Sequence, residues 1–285
     1  MGSAATHQNF VDASRTASQT LAIFDVARPE GGKRSWFTGV TFLPGHFVFL
    51  ADYNNKRCCL LDPSYKIIAD FYLPVSPWDV CYLGNKTVAV TLPKLSKIVF
   101  LYVDEAIKHT KTVKIRHNCF GVDFLSHDLI ILTCYNRKKS KFLWMIISKE
   151  GHEQFYQVIG KREKHLDWVN SNVTLNNARS QIYISCPGLN SVYCFGLEGK
   201  EIFQYKDENF SCPQGLAVDK NEDLYVLGGF PRHIAVLSPT GTLRSRINAR
   251  ISNNSQAICF NMDRDKLLVT GATDPERCSV LYTAY

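Results

Sequence analysis

The chain has no apolar run long enough to cross a bilayer. Its longest, around Phe142-Leu143-Trp144-Met145-Ile146-Ile147, falls far short of the roughly 20 residues a spanning helix needs. A membrane-anchored reading is therefore set aside. No charged leader followed by an apolar core opens the sequence, so no secretory signal is expected in it. No two of the ten cysteines form a C-x-x-C pair, which removes the common zinc and dithiol signatures. No segment carries a long amphipathic helical stripe, and no Gly-rich phosphate loop, nucleophile elbow or activated-cysteine pattern occurs. Acidic residues are in the minority: 26 Asp and Glu stand against 33 Lys and Arg, a net charge of +7. A surface of that sign favours anionic partners.

What is present is ample material for a core, 45% hydrophobic residues with 12% aromatics in 285 residues. Cys81, Cys134, Cys186, Cys259 and Cys278 sit inside apolar runs and read as reduced core thiols, the usage of a cytoplasmic protein. Tripeptides fitting N-glycosylation at Asn85, Asn172, Asn209 and Asn253 pull weakly the other way. Met1-Gly2-Ser3 formally opens a myristoylation pattern, but a cloning remnant or flexible tail over residues 1–18 fits it better, since one acyl chain anchors poorly.

A repeat organises the rest. A short strand led in by Gly, a polar turn, a strongly apolar strand, a basic or Asn-containing loop and a third apolar strand recur along the chain. They read as Thr38-Gly39-Val40, Phe47-Val48-Phe49-Leu50-Ala51-Asp52, Asn54-Asn55-Lys56-Arg57 and Cys58-Cys59-Leu60-Leu61-Asp62, and again from Cys212-Pro213-Gln214-Gly215 onward. The first strands open at Gly39, Asp79, Gly121, Asn172, Gly215 and Ala257, a spacing of roughly 40 to 50 residues that belongs to propeller blades. The expected fold is an all-β, six-bladed β-propeller of four-stranded antiparallel blades over residues 19–285. The blades fall near 36–75, 77–116, 119–160, 168–206, 212–248 and 255–285. The last unit is one strand short, and the segment over residues 20–27, Thr20-Leu21-Ala22-Ile23-Phe24-Asp25-Val26 at its heart, is expected to complete it and close the ring.

At Pro213-Gln214-Gly215-Leu216-Ala217-Val218-Asp219 with Leu224-Tyr225-Val226, and at Leu50-Ala51-Asp52-Tyr53-Asn54-Asn55-Lys56-Arg57, the chain resembles the NHL-repeat family. The best-known members are the C-terminal propellers of tripartite-motif proteins. The resemblance is sharp in the first and fifth units and diffuse elsewhere, with Thr91-Leu92-Pro93 and Ser185-Cys186-Pro187 where the family has Ala-Asp. It implies a non-catalytic recognition domain without a cofactor, monomeric alone, whose parent assembles through an upstream coiled coil. It implies RNA binding or recruitment of a protein substrate for an upstream ubiquitin-ligase RING. The Gly, Pro, Asp and Asn of the repeat itself read as structural, through backbone freedom, turn geometry and loop capping.

Sorting the loops by blade edge separates two faces. One collects the second-to-third-strand loops and the blade-to-blade connections, and holds roughly half of the 33 Lys and Arg. The opposite face, with turns such as Asp62-Pro63-Ser64 and Asp219-Lys220-Asn221-Glu222-Asp223, is acidic or balanced. The candidate ligand-binding cations are Arg34, Lys56, Arg57, Lys94, Lys97, Arg116, Arg137, Lys138, Lys139, Lys141, Lys161, Arg162, Lys164 and Arg232. Tyr53, Tyr135 and Phe230 stand at loop edges as candidate stacking rings for unpaired bases, while Trp36, Trp78, Phe120 and Trp168 read as wedges between blades. The expected partner is single-stranded or stem-loop RNA, with an acidic protein as the alternative. A metal-dependent propeller enzyme, lyase or lactonase, is a third reading. It would need His and carboxylates converging from several blades. Of the eight His, only His117, His165 and His233 lie on the basic face, with no carboxylates at matching positions.

Overall fold

The computed structural model describes residues 20–26, 29–161, 170–229, 233–247, 255–271 and 277–282. Among them 24 strands form six four-stranded antiparallel sheets. The first sheet is β2 (Phe37–Phe42), β3 (Val48–Asp52), β4 (Arg57–Leu61) and β5 (Ile67–Tyr72). The second is β6 (Val80–Tyr82), β7 (Thr87–Leu92), β8 (Lys97–Val103) and β9 (Ile107–Lys114). The third holds the longest strands, β10 (Asn118–Phe124), β11 (Leu129–Asn136), β12 (Lys141–Ser148) and β13 (Glu153–Lys161). Then come β14 (Asn172–Leu175), β15 (Gln181–Cys186), β16 (Ser191–Gly196) and β17 (Glu201–Tyr205), followed by β18 (Leu216–Val218), β19 (Leu224–Leu227), β20 (Ile234–Leu237) and β21 (Leu243–Ile247). The last sheet runs β1-β24-β23-β22, from β1 (Thr20–Asp25) to β24 (Arg277–Tyr282), β23 (Lys266–Thr270) and β22 (Ile258–Phe260). This is an all-β propeller of four-stranded antiparallel blades.

The sequence pattern follows from position in the blade. The two middle strands are covered on both faces by neighbouring blades, so β3, β11 and β12 are mostly apolar and are buried, the last two between half-buried end residues. The outermost strands have one wet face, and β5 alternates half-buried with exposed residues along its length. Each first strand lies against the first strand of the next sheet, and β22 lies against β2, so the six first strands surround a central channel.

Close approach of these strands explains the glycines that open them. A Cβ at Gly39 would stand 2.7 Å from the Cα of Asp79, one at Gly121 2.9 Å from that of Asn172, and one at Gly215 3.0 Å from that of Ala257. Side chains are therefore excluded from one blade of each such pair. The departures from the repeat signature have a physical role too. Thr91, Thr133 and Ser185 each send a hydroxyl across to the next blade, donating to the carbonyls of Phe120, Ser171 and Gln214 respectively. Asp79 accepts from the Val122 amide at 3.0 Å, and Asp123 from that of Leu175 at 2.9 Å. Where Ala-Asp is missing, hydroxyls and carboxylates tie blade to blade instead.

Nine described cysteines are free thiols, seven of them buried, and Cys81, Cys134 and Cys186 sit in the core as expected; Cys259 is only half-buried, and the side chain of Cys278 lies outside the described residues. The capping role of the repeat acids is visible as well. Asp52 accepts from the backbone amides of Trp36 and Asn55, and Asp219 from those of Asn221 and Asp223. No helix among the described residues is long and apolar enough to cross a membrane.

Candidate functional site

The β11–β12 hairpin positions most of the basic side chains. Both strands run eight residues, and the loop between them is closed by the Asn136 side chain, which accepts from the Lys139 amide at 3.1 Å. Ser140 then takes a left-handed conformation, φ 51°, which returns the chain into β12. Side chains in so tight a turn have nowhere to go but outward, and Arg137, Lys138 and Lys139 are all exposed.

Beside this loop lies a cleft of about 560 Å³. Its rim is basic: Arg116 and His117 from the connection before β10, Arg137, Lys138 and Lys139 from the hairpin, and Lys141 at the start of β12. Tyr135 and Leu143 lie deeper, and the outer wall is the edge strand β13, through Glu153, Tyr156 and Val158. Among the described residues none of these five Lys and Arg side chains makes an ion pair, nor does Glu153. Cations elsewhere do: Lys86 reaches Asp104 at 2.7 Å, Lys111 reaches Glu150 at 3.1 Å and Arg244 reaches Asp223 at 2.9 Å. The electrostatic field shows on His117, whose imidazole titrates below its ordinary range because burial disfavours its charge, with Arg116 and Lys139 adding repulsion against the pull of Glu153.

The remaining sequence candidates divide. Arg34, Lys56, Lys94 and Lys161 are exposed on the same side of the molecule, and Lys97 is half-buried at the start of β8. Lys94 places its ammonium 5.5 Å from the ring centre of Tyr53. Tyr53 is half-buried in edge-to-face contact with Trp36 and Trp78, at 5.1 and 5.8 Å, and Trp78 meets Phe120 at 5.6 Å. These aromatics bridge first strands of successive blades, as expected of wedges. Arg162, Lys164 and Arg232 lie outside the described residues, as do Arg28, His165, Trp168, Phe230 and Arg250.

Two expectations need correction. Arg57 is not a surface cation. It is 1% exposed, with Nε 3.2 Å from Asp52 and Nη1 3.0 Å from Asp70, because β4 starts directly opposite the end of β3 and buries its first residue. Tyr135 is 5% exposed and packs against Phe142 at 5.2 Å, so it is not an open stacking ring at the cleft. The open ring there belongs to Tyr156, 55% exposed. The sequence carried a signal for it: Tyr156 and Val158 are apolar residues on the outward phase of an alternating edge strand, where polar residues are the rule.

The central channel is narrower. Its neck encloses about 110 Å³ between the first strands, with Asp79, Cys81 and Asp123 on adjacent blades. Burial pushes the Asp79 carboxyl up to about 7, against the two backbone amides that favour its charge, and raises Asp123 as well. Cys81 donates its thiol to Asp123 at 3.4 Å. A wider mouth of about 380 Å³ opens on the face away from the basic cleft, where Arg179 and Arg264 donate to the carbonyls of Phe124 and Val218 on preceding blades. Among the described residues no three His, Cys, Asp or Glu converge as a metal site would require. His233 is buried, its ring 5.1 Å from Phe210.

A scan against protein families found no match, and no curated protein matches the chain in sequence. Solved structures do resemble it. A gluconolactonase from Xanthomonas campestris superposes with a TM-score of 0.68 at 11% identity, over 94% of this chain and 97% of that one. Virginiamycin B lyase from Staphylococcus aureus gives 0.66 at 12% identity, over 92% and 99%. The Cps50 (Swd1) propeller domain from Myceliophteria thermophila gives 0.65 at 9% identity, over 94% and 100%. At such identities the likeness shows the architecture alone: the chain is a β-propeller.

Proposed function

We propose that the chain is a non-catalytic recognition module that binds single-stranded RNA on its basic face, centred on the cleft of the third blade. The observation that carries this reading is the ring of Arg116, Arg137, Lys138, Lys139 and Lys141, none ion-paired among the described residues, around a cleft walled by an exposed tyrosine. Unpaired Lys and Arg are what a phosphate backbone neutralises, and an open aromatic face is what an unstacked base covers. An acidic peptide would use the charge but has no need of the ring, which is why RNA is favoured.

The finer architecture belongs to the same proposal: an NHL-type ring of six blades, closed where β1 pairs with β24, serving as the C-terminal domain of a cytoplasmic tripartite-motif protein. The pairing of Asp25 with Arg277 and of Phe24 with Cys278 supports the closure. The enzymatic reading suggested by the lyase and lactonase neighbours has less support in this chain. Asp79 and Asp123, the channel's carboxylates, both accept backbone amides of the next blade, which marks them as ties between strands.

The test is a salt-titrated binding measurement with a fluorescent 12-nucleotide single strand. Four phosphate contacts predict that log affinity falls with log salt at a slope of about −3. Reversing Arg137, Lys138, Lys139 and Lys141 to Glu should abolish binding and leave the melting temperature unchanged. Wild-type affinity in that variant, or full competition by an acidic peptide at equal charge, overturns the RNA reading.

A further inference from the structure

The cleft is not uniformly basic, and its one acid points to what the ligand carries. Glu153 opens β13 and shares the cleft wall with Tyr156 and Val158. It has five Lys and Arg around the same cleft and makes no ion pair with any of them among the described residues. Its side chain is exposed and lines the cleft beside those cations. A bend in the ladder helps place it there: pairing steps from Ile146–Phe155 to Ile147–Glu153, so one residue of β13 is unpaired at that point. An acid in a phosphate-binding cleft weakens phosphate binding, and that cost needs an offsetting role.

We propose that Glu153, Tyr156 and Val158 form a base-reading slot and that the base it selects is guanine. The inference rests on the RNA reading above and deepens it. In a single strand the Watson–Crick edge is free, and stacking on Tyr or Phe with hydrogen bonds to that edge is how sequence is read. Guanine alone presents two parallel donors there, N1–H and the N2 amino group, matching the two oxygens of a carboxylate. Uracil presents one N–H flanked by two carbonyls that a carboxylate repels. Tyr156 supplies the stacking face, Val158 extends it along the same side of the strand, and the hairpin cations hold the phosphates beside it. Glu153 is a specificity-determining residue in this arrangement, so its removal has opposite effects on different strands.

The experiment compares labelled GU-repeat, AU-repeat and oligo(U) strands of equal length on the full chain and on Glu153→Gln and Tyr156→Ala variants, by fluorescence anisotropy at one salt concentration. The wild-type chain should bind the GU repeat at least 10-fold more tightly than oligo(U). Glu153→Gln should lose that preference while binding oligo(U) more tightly, since a negative charge has left the cleft. Tyr156→Ala should weaken all strands by about 10-fold or more, as expected for loss of a stacking platform. Equal wild-type affinity for all three strands overturns the guanine slot and leaves the RNA reading standing. An unchanged preference in Glu153→Gln overturns the role of Glu153. Failure of every strand to bind overturns the RNA reading itself.

Discussion

Replacing Arg57 by Met separates a buried structural ion pair from a ligand contact. Arg57 is 1% exposed and Asp52 fully buried, while Asp70 is 29% exposed. Removing the guanidinium leaves the Asp52 charge in the interior. Truncating one partner of a buried pair costs about 3–5 kcal/mol. Asp52 would keep four donors, the Ser35 hydroxyl, the Asn55 side chain and the amides of Trp36 and Asn55, which places the cost at the lower end, about 3 kcal/mol. Met refills part of the volume, and Asp70 relaxes into water. For a domain of this size about 2–4 °C of melting temperature accompanies each kcal/mol, so calorimetry should show a drop of roughly 6–12 °C. RNA affinity of the still-folded protein, measured well below the transition, should equal that of the wild type. An unchanged melting temperature with several-fold weaker binding would refute the reasoning, because it would mean that Arg57 reaches the ligand.

Two further perturbations probe the channel. Gly121→Ala forces a Cβ to within 2.9 Å of backbone atoms of Asn172 and Val173; neither can yield without moving a first strand, so a loss of about 1–3 kcal/mol is expected in denaturant unfolding. The Asp79 carboxyl is raised by burial from 3.8 to about 7, so the folded state holds its proton longer than the unfolded chain. The group therefore stabilises most below about pH 4, and that contribution is lost as pH rises through 7; three units correspond to about 4 kcal/mol at most. Asp79→Asn, which keeps an acceptor for the Val122 amide, should gain on the wild type between pH 4 and pH 8, and parallel stability curves for the two would remove the effect.

The strands were legible because blade position imposes its own pattern. Apolar runs mark the covered middle strands and alternation marks the outer ones, as β11 and β12 in the third blade and Leu243–Ile247 in the fifth illustrate. Charge on a loop edge was legible only as charge. Arg57 read as a surface cation because its polarity was visible and its partners were not: Asp70 lies 13 residues away on the neighbouring strand. The nearer partner could have been found, since Asp52 and Arg57 face each other across a hairpin, a cross-strand position at which opposite charges pair. Tyr156 and Glu153 escaped because nothing in an edge strand's alternation says which neighbouring loop its exposed side chains will meet.

The division between well-kept and altered repeats has a physical meaning. The fifth blade, where the repeat residues are clearest, has strands of three, four, four and five residues. The third blade has strands of seven, eight, eight and nine. Longer middle strands carry the hairpin and its cations outward, and a longer edge strand supplies a wall for a cleft that short strands could not make. Extension of that kind requires other ties to the neighbours, and here the third blade is held to the fourth by Thr133 and Asp123. The features that make this blade a poor match to the repeat are thus the ones that give it a cleft, which is why the proposed ligand is sought there and not at the best-kept repeat.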